Sequence, residues 1–312
     1  MTTGADLGDK LMSMSEAIGA FSADGISVVM GTCMEQKIPF SAGHELIRQG
    51  RKVLTLIGPI SDILFDQLIG AGCVRRVMAA WIGNVMMGSG YNFRRAFEQN
   101  IPHPIEVIDY SNFAIACALH AGALGLPFMP LRSLMGTDIA AANPNLVETT
   151  SPFDPADRLL AVRALQPDLG IFVAQRADAH GAAHIWGDLA VTADAARAAK
   201  KVIVVAEEIV DTAVIESDPN RTVIPGFLVD AVVHEPFAAH PSPTQGCYNR
   251  DHEFYVSYHN ETRERSGFEN WLQKWVLDVA DRREYLGLLG ANRVESLLVT
   301  RSQPAAATEF GY

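Results

Sequence analysis

The chain has 312 residues, 48% of them hydrophobic, and a formal net charge of -11. That length and apolar content support a large buried core and exclude a disordered chain. The acidic balance argues against a nucleic-acid partner, which needs a basic face to displace counterions from phosphates.

Cys33, Cys73, Cys117 and Cys247 lie far apart, without a C-x-x-C pair or a Cys/His cluster at metal-ligand spacing. A reducing, cytoplasmic setting is the expectation. Met1 to Lys10 shows no apolar run behind a basic cluster, so no signal peptide is expected. The nearly uncharged run from Phe113 to Leu131 contains His120, Pro127 and Pro130 and is dense in Ala and Gly. It reads as a helix and strand of a core, and no membrane span is expected.

In chain order, Ser13-Met14-Ser15-Glu16 fits a capping box opening a helix to about Phe21, and Asp24-Gly25 turns the chain into a strand from Ile26 to Met30. A helix from Phe40 to Gln49, stopped by Gly50, precedes a strand from Val53 to Ile57. Two further helix and strand pairs follow, Ser61 to Ala71 with Val74 to Trp81, and Tyr91 to Asn100 with Ile105 to Ile108. A helix from Ser111 to Leu124 leads into a short strand near Phe128 to Pro130. Thr137 to Pro155, with Pro144, Pro152 and Pro155, reads as a long surface excursion inserted in one domain.

The rhythm resumes at Leu169 to Ala174, Ala193 to Ala199, Val202 to Ala206 and Val229 to Val233. Asp178-Ala179-His180-Gly181 is a turn feeding His184-Ile185-Trp186, in the manner of a hairpin. Phe237 to Asn260 reads as irregular, and helices are expected at Glu269 to Val279 and Arg282 to Leu289. Short apolar strands alternating with helices favour an open, largely parallel sheet with helices on both faces. Residues 1–300 form one α/β domain in this reading, and residues 301–312 a disordered tail.

Gly88-Ser89-Gly90 lacks the lysine of a phosphate-binding loop. His180 and His184 are four apart, but Gly181 breaks the helical face that a zinc motif needs, so no metal site is assigned. Glu207-Glu208 closes a strong strand, where ligands of parallel sheets bind, though a solvated pair explains it equally. No G-x-S-x-G elbow is present.

Several blocks in order resemble the A (alpha) chains of family I coenzyme A transferases, the glutaconate CoA-transferase group in particular. Val28-Val29-Met30-Gly31-Thr32-Cys33 with Gln36-Lys37-Ile38-Pro39 is similar to the family's G-G-F entry loop, departing from it at Thr32 and Cys33. Leu68 to Val74, Asn92 to Glu98, Ile108 to Ser111 with Ala118 to Pro130, Ile185-Trp186-Gly187, Ala198 to Ile209 and Ile224 to Ser242 continue the likeness.

The resemblance implies a CoA-transferase/NagB-like fold and a ping-pong transfer of CoA between an acyl-CoA and a carboxylic acid. The covalent glutamyl-CoA intermediate sits on a B (beta) subunit in an S-E-N/G-type context, which this chain lacks. The chain is then the non-nucleophilic half, with no catalytic residue of its own, in an α2β2 heterotetramer. Coenzyme A is a substrate, and no cofactor is implied. Its own contribution comes from strand-end loops: Gly31 and Thr32 as backbone donors, Asn84 and Ser89 after the third strand, and Ser111 and Asn112 after the fourth. Two other readings compete: a CoA-thioester or ring-cleaving hydrolase subunit of the same family, in which an acidic residue stands where this chain has Asn112, and a non-catalytic metabolite-binding module.

Overall fold

The computed structural model describes residues 8–299 and 308–311. The strands are β1 (Ser27–Val29), β2 (Leu54–Ile60), β3 (Val74–Trp81), β4 (Gly83–Asn84), β5 (Gly88–Ser89), β6 (Glu106–Asp109), β7 (Phe128–Leu131), β8 (Leu146–Thr150), β9 (Arg158–Arg163), β10 (Leu169–Ala177), β11 (Ala183–His184), β12 (Lys201–Ile209), β13 (Thr222–Ile224) and β14 (Ala231–His234). Seven of them run parallel in the order β14-β12-β10-β1-β2-β3-β6. β11 folds back antiparallel on the end of β10, as the Asp178–Gly181 turn predicts, and β13 pairs with β11.

Both faces of this sheet are covered, which is why the centres of its inner strands are largely apolar, with charged residues such as Lys201 and Glu208 towards the strand ends. Alternate residues feed two cores: Val28, Leu56, Val77, Ile203 and Val205 face one, and Val29, Ile57, Met78, Val204 and Val232 the other. The first core takes the helices Met14–Phe21, Phe40–Arg48 and Asp62–Gly70 and the aromatic face of the C-terminal helices. The second takes the helices Asn112–Ala123 and Thr192–Ala198 and a small antiparallel sheet of order β7-β9-β8. The Ser13/Glu16 capping box forms as the sequence predicts: the Glu16 amide donates to Ser13 Oγ and the Ser13 amide to Glu16.

Parts of the expected pattern are corrected. The stretch from Thr137 to Pro155, expected as a surface excursion, is not without regular structure: it forms the helix Asp138–Ala142, which buries no residue, and strand β8, which pairs with β9 through Leu146↔Val162 and Glu148↔Leu160. Burial of Leu160 and Val162 in the same core as the helix Asn112–Ala123 overrides the local proline content. Residues 237–260 are not irregular throughout either, since His252–Glu261 is a helix capped by Asp251, whose carboxylate accepts the Phe254 amide. The helix expected at Glu269 begins earlier, as Arg265–Leu272, and passes into one π-helical turn at Gln273–Leu277. A helix at Ala291–Leu297 was not anticipated. Of the expected tail, 301–307 and Tyr312 lie outside the described residues, while the Arg250 amide donates to Glu309 O. Among the described residues no helix is long and apolar enough to cross a membrane.

Candidate active site

Strands β2, β3 and β6 lie to one side of β1, while β10, β12 and β14 lie to the other. The order therefore reverses between β1 and β10, and the crevice beyond their carboxyl ends is where a parallel sheet takes a ligand.

Gly31 closes β1 at φ +66°, in the left-handed region, and a Cβ there would sit 2.1 Å from Ser61 Oγ and 2.8 Å from Ile60 O. Only glycine lets the ends of β1 and β2 approach this closely. The loop that follows holds two further left-handed residues, Met34 at φ +58° and Lys37 at φ +52°. Its shape is imposed from afar. Lys37 Nζ donates to Asp188 O at 2.8 Å, the Lys37 amide donates to Pro243 O, and Ser242 Oγ donates to Glu35 O. Thr32 shares a hydroxyl hydrogen bond with Thr192, 2.9 Å, and its carbonyl accepts the Val191 amide. Among the described residues none of these bonds takes the Gly31 or Thr32 amide, although both residues are buried. Two buried, unspent N–H groups at the switch point can stabilise a developing oxyanion.

On the β2 and β3 flank the loops enclose charge. Asp62, at φ +46°, and Arg250 are fully buried, with Arg250 Nη1 3.4 Å from Asp62 Oδ2 and 2.5 Å from Glu35 Oε2. Burial pushes the Asp62 carboxyl up to about 6, against the opposing pull of Arg250. Asn84, 2% exposed, accepts the Met86 and Met87 amides and donates to Tyr255 O at 3.3 Å, so its carboxamide shapes the β4–β5 hairpin. Ser89 is exposed on that hairpin.

At the far edge, Ser111 caps the helix Asn112–Ala123 by accepting the Ala114 amide at 3.1 Å, and Asn112 is exposed. β1 and β6 are separated by two strands, so Gly31 and Asn112 stand about 14 Å apart by strand spacing. All six residues singled out in the sequence thus lie beyond carboxyl ends of parallel strands. They form a central pair and a peripheral set and do not converge on one small group.

On the other flank a cleft of about 360 Å³ opens among Gln175, Arg176, Trp186, Glu207, Phe237 and Tyr248. Glu207 accepts the Tyr248 hydroxyl at 2.8 Å and the Phe237 amide at 2.7 Å, and burial still pushes its carboxyl up to about 7. Glu208 pairs with Arg176 at 3.1 Å. The Arg176 and Arg221 guanidinium groups lie over the Trp186 ring, 5.6 and 5.3 Å from its centroid. His180 and His184 do not meet: His184 Nε2 lies 3.1 Å from Ile215 O and His180 Nδ1 3.0 Å from Gly8 O. Sequence reasoning did not single out Asp62, Arg250, Gln175 or Tyr248. No local motif marks them, because their partners are up to 215 residues away.

A doubly wound α/β sheet with strained, polar loops at its switch point defines the class of α/β proteins in which the carboxyl edge is the usual place for a ligand. The sequence profile of the family described as Coenzyme A transferase matches residues 11–235, and the chain belongs to that family. The A subunit of 3-oxoadipate CoA-transferase from Pseudomonas knackmussii is 38% identical over 276 residues, 88% of this chain and 96% of that one. The A subunit of glutaconate CoA-transferase from Acidaminococcus fermentans is 34% identical over 306 residues, 93% and 95% of the two chains. The crystal structure of that organism's glutaconate CoA-transferase matches with a TM-score of 0.89 at 33% identity, covering 93% of this chain and 96% of that one. A cholesterol ring-cleaving hydrolase IpdA subunit of Rhodococcus jostii is 26% identical over 280 residues, 86% and 92% of the two.

Proposed function

We propose that this chain is the A subunit of a heteromeric CoA-transferase that moves CoA between an acyl-CoA and a free dicarboxylic acid. The acid class is that of glutaconate and 3-oxoadipate, named in the two transferases to whose A subunits the chain is similar. A glutamate carboxylate on the B subunit, the nucleophile, attacks the thioester carbonyl and CoA thiolate leaves, giving a mixed anhydride. The thiolate then attacks the glutamyl carbonyl and releases the first acid, leaving a glutamyl-CoA thioester. The acceptor carboxylate enters by the reverse steps and carries CoA away. Each addition builds negative charge on a carbonyl oxygen, and the Gly31 and Thr32 amides supply the donors for it. Asn112, with Ser111, Asn84 and Ser89 on the neighbouring loops, borders the acyl path.

The observation that carries this division of labour is the state of the strand-edge glutamates. Glu207 is engaged by Tyr248 and Phe237, Glu208 by Arg176 and Glu35 by Arg250. None of these three stands ready as a nucleophile. Asn112 supports transfer over ring cleavage, since a carboxamide can hold an acyl oxygen but cannot act as a base at neutral pH. We assign an α2β2 assembly in the cytoplasm, where the four thiols, none of them in a disulfide, stay reduced.

Sizing and CoA-transfer assays on the chain alone and mixed with its B subunit test the proposal. Turnover is expected only in the mixture. Full transfer by the isolated chain overturns it.

A further inference from the structure

The Glu35, Asp62 and Arg250 cluster ties together the loops after β1, β2 and β3 on one flank of the crevice. Glu35 belongs to the strained loop after β1, Asp62 opens the helix after β2, and Asp62 Oδ1 accepts the Val85 amide, 3.3 Å, from the loop after β3. The Arg250 guanidinium lies 3.8 Å from the centroid of the Tyr255 ring, and Tyr255 O accepts from Asn84 of that same third loop. Arg250 is itself presented from a braced base. The Asn249 amide donates to Leu297 O, the Arg250 amide to Glu309 O and the Asp251 amide to Pro241 O. Asp251 further holds His240 at 3.0 Å and pairs with Arg293.

A fully buried arginine shared by two carboxylates is a poor device for stability, because desolvation offsets the attraction. It is a good device for register, because the cation fixes both anions and the backbones that carry them. Left-handed non-glycine residues at Met34, Lys37 and Asp62 place backbone strain in these same loops. We infer that Arg250 is a positioning residue for CoA transfer: through Glu35, Asp62 and Tyr255 it sets three strand-end loops as one unit and so aims the Gly31 and Thr32 amides.

This inference rests on the transferase reading, and its tests separate the two. In the assembled two-chain enzyme, Glu35→Gln removes the charge of a side chain only 19% exposed while keeping its shape. It should lower kcat about tenfold while KM for acyl-CoA stays within about twofold. Arg250→Lys should behave similarly, because an ammonium on a flexible stem does not reproduce the planar guanidinium that meets both carboxylates through Nη1 while lying over the Tyr255 ring. Arg250→Ala should lose about a hundredfold in kcat, the scale of a displaced reacting geometry. It should regain part of that loss in millimolar guanidinium chloride but not in methylammonium chloride. Wild-type kcat in Glu35→Gln overturns the inference, as does a folded, assembled Arg250→Ala complex that guanidinium does not restore. If Arg250→Ala does not fold, Glu35→Gln decides. If the wild-type complex transfers no CoA, the transferase reading has failed. Hydrogen exchange at 31–37 then judges the clamp alone: Glu35→Gln should accelerate it, and unchanged exchange overturns the clamp.

Discussion

The two flanks of the switch point solve opposite problems. Beyond β2 and β3 the loops close over buried charge, with Arg250 and Asp62 excluded from solvent and left-handed backbone at Met34, Lys37 and Asp62. Beyond β10, β12 and β14 the edge stays open as a cleft of about 360 Å³, lined by Arg176, Trp186, Phe237 and Glu207. The closed flank holds a shape, and the open flank leaves room. An active site assembled from two chains needs both: fixed donors on one side, and a surface on the other that a long thioester can enter.

The contrast breaks most severely at Gly31. Alanine there places its Cβ against Ser61 and the Ile60 carbonyl in a left-handed residue, so the ends of β1 and β2 must separate. Transfer by the assembled enzyme should fall about a hundredfold or more, the scale of a misplaced reacting geometry, with a lowered Tm as the structural sign. A Gly31→Ala enzyme of normal rate would show that the close approach serves packing alone. Asn112→Ala comes next. If the exposed carboxamide holds the acyl group, kcat/KM should fall about ten- to hundredfold, the range for one hydrogen bond to developing charge, with the fold intact. Unchanged kinetics would return Asn112 to a helix-start residue.

The smallest effect belongs to the open flank and is read in stability. Burial raises Glu207 to about 7, above the ordinary glutamate value of about 4.3 that applies to the unfolded chain. A raised carboxyl contributes stability that is fully present below the unfolded value and is lost as pH rises through the folded one. Wild-type stability should therefore decline relative to Glu207→Gln between about pH 4 and pH 7, because glutamine keeps the shape without the proton. Unfolding of the two proteins on the acid and the alkaline side of that window measures this. A difference that does not change across it would mean that the cleft is wet enough to leave Glu207 unperturbed.

How much of this was legible depends on how local the cause is. Strand β3 was read at its observed bounds because Val77 to Trp81 is an apolar run and the segment is bracketed by a glycine turn and a loop, and the Ser13/Glu16 box is a four-residue signal. β9 was missed: its inward Leu160 and Val162 are interpretable only once the small sheet has a face to cover. The helix His252–Glu261 was missed because its buried side is Phe254, Tyr255 and Tyr258 among His and Asn, a weak apolar stripe that only tertiary packing explains. The site divides in the same way. Gly31, Thr32, Ser111 and Asn112 stand at strand ends that the pattern predicts. Arg250 carries no local mark, and its meeting with Glu35 and Asp62 exists only in the folded chain.

If this chain shapes the crevice and its partner supplies the nucleophile, the covalent intermediate must form on the partner. Incubating the assembled enzyme with acyl-CoA, trapping with borohydride or hydroxylamine, and mapping the modified glutamate by peptide mass spectrometry reads this directly. The adduct should fall on the B subunit, with none on Glu35, Glu207 or Glu208 of this chain. A modified peptide containing Glu207 or Glu208 would contradict that division and move the nucleophile to the open flank.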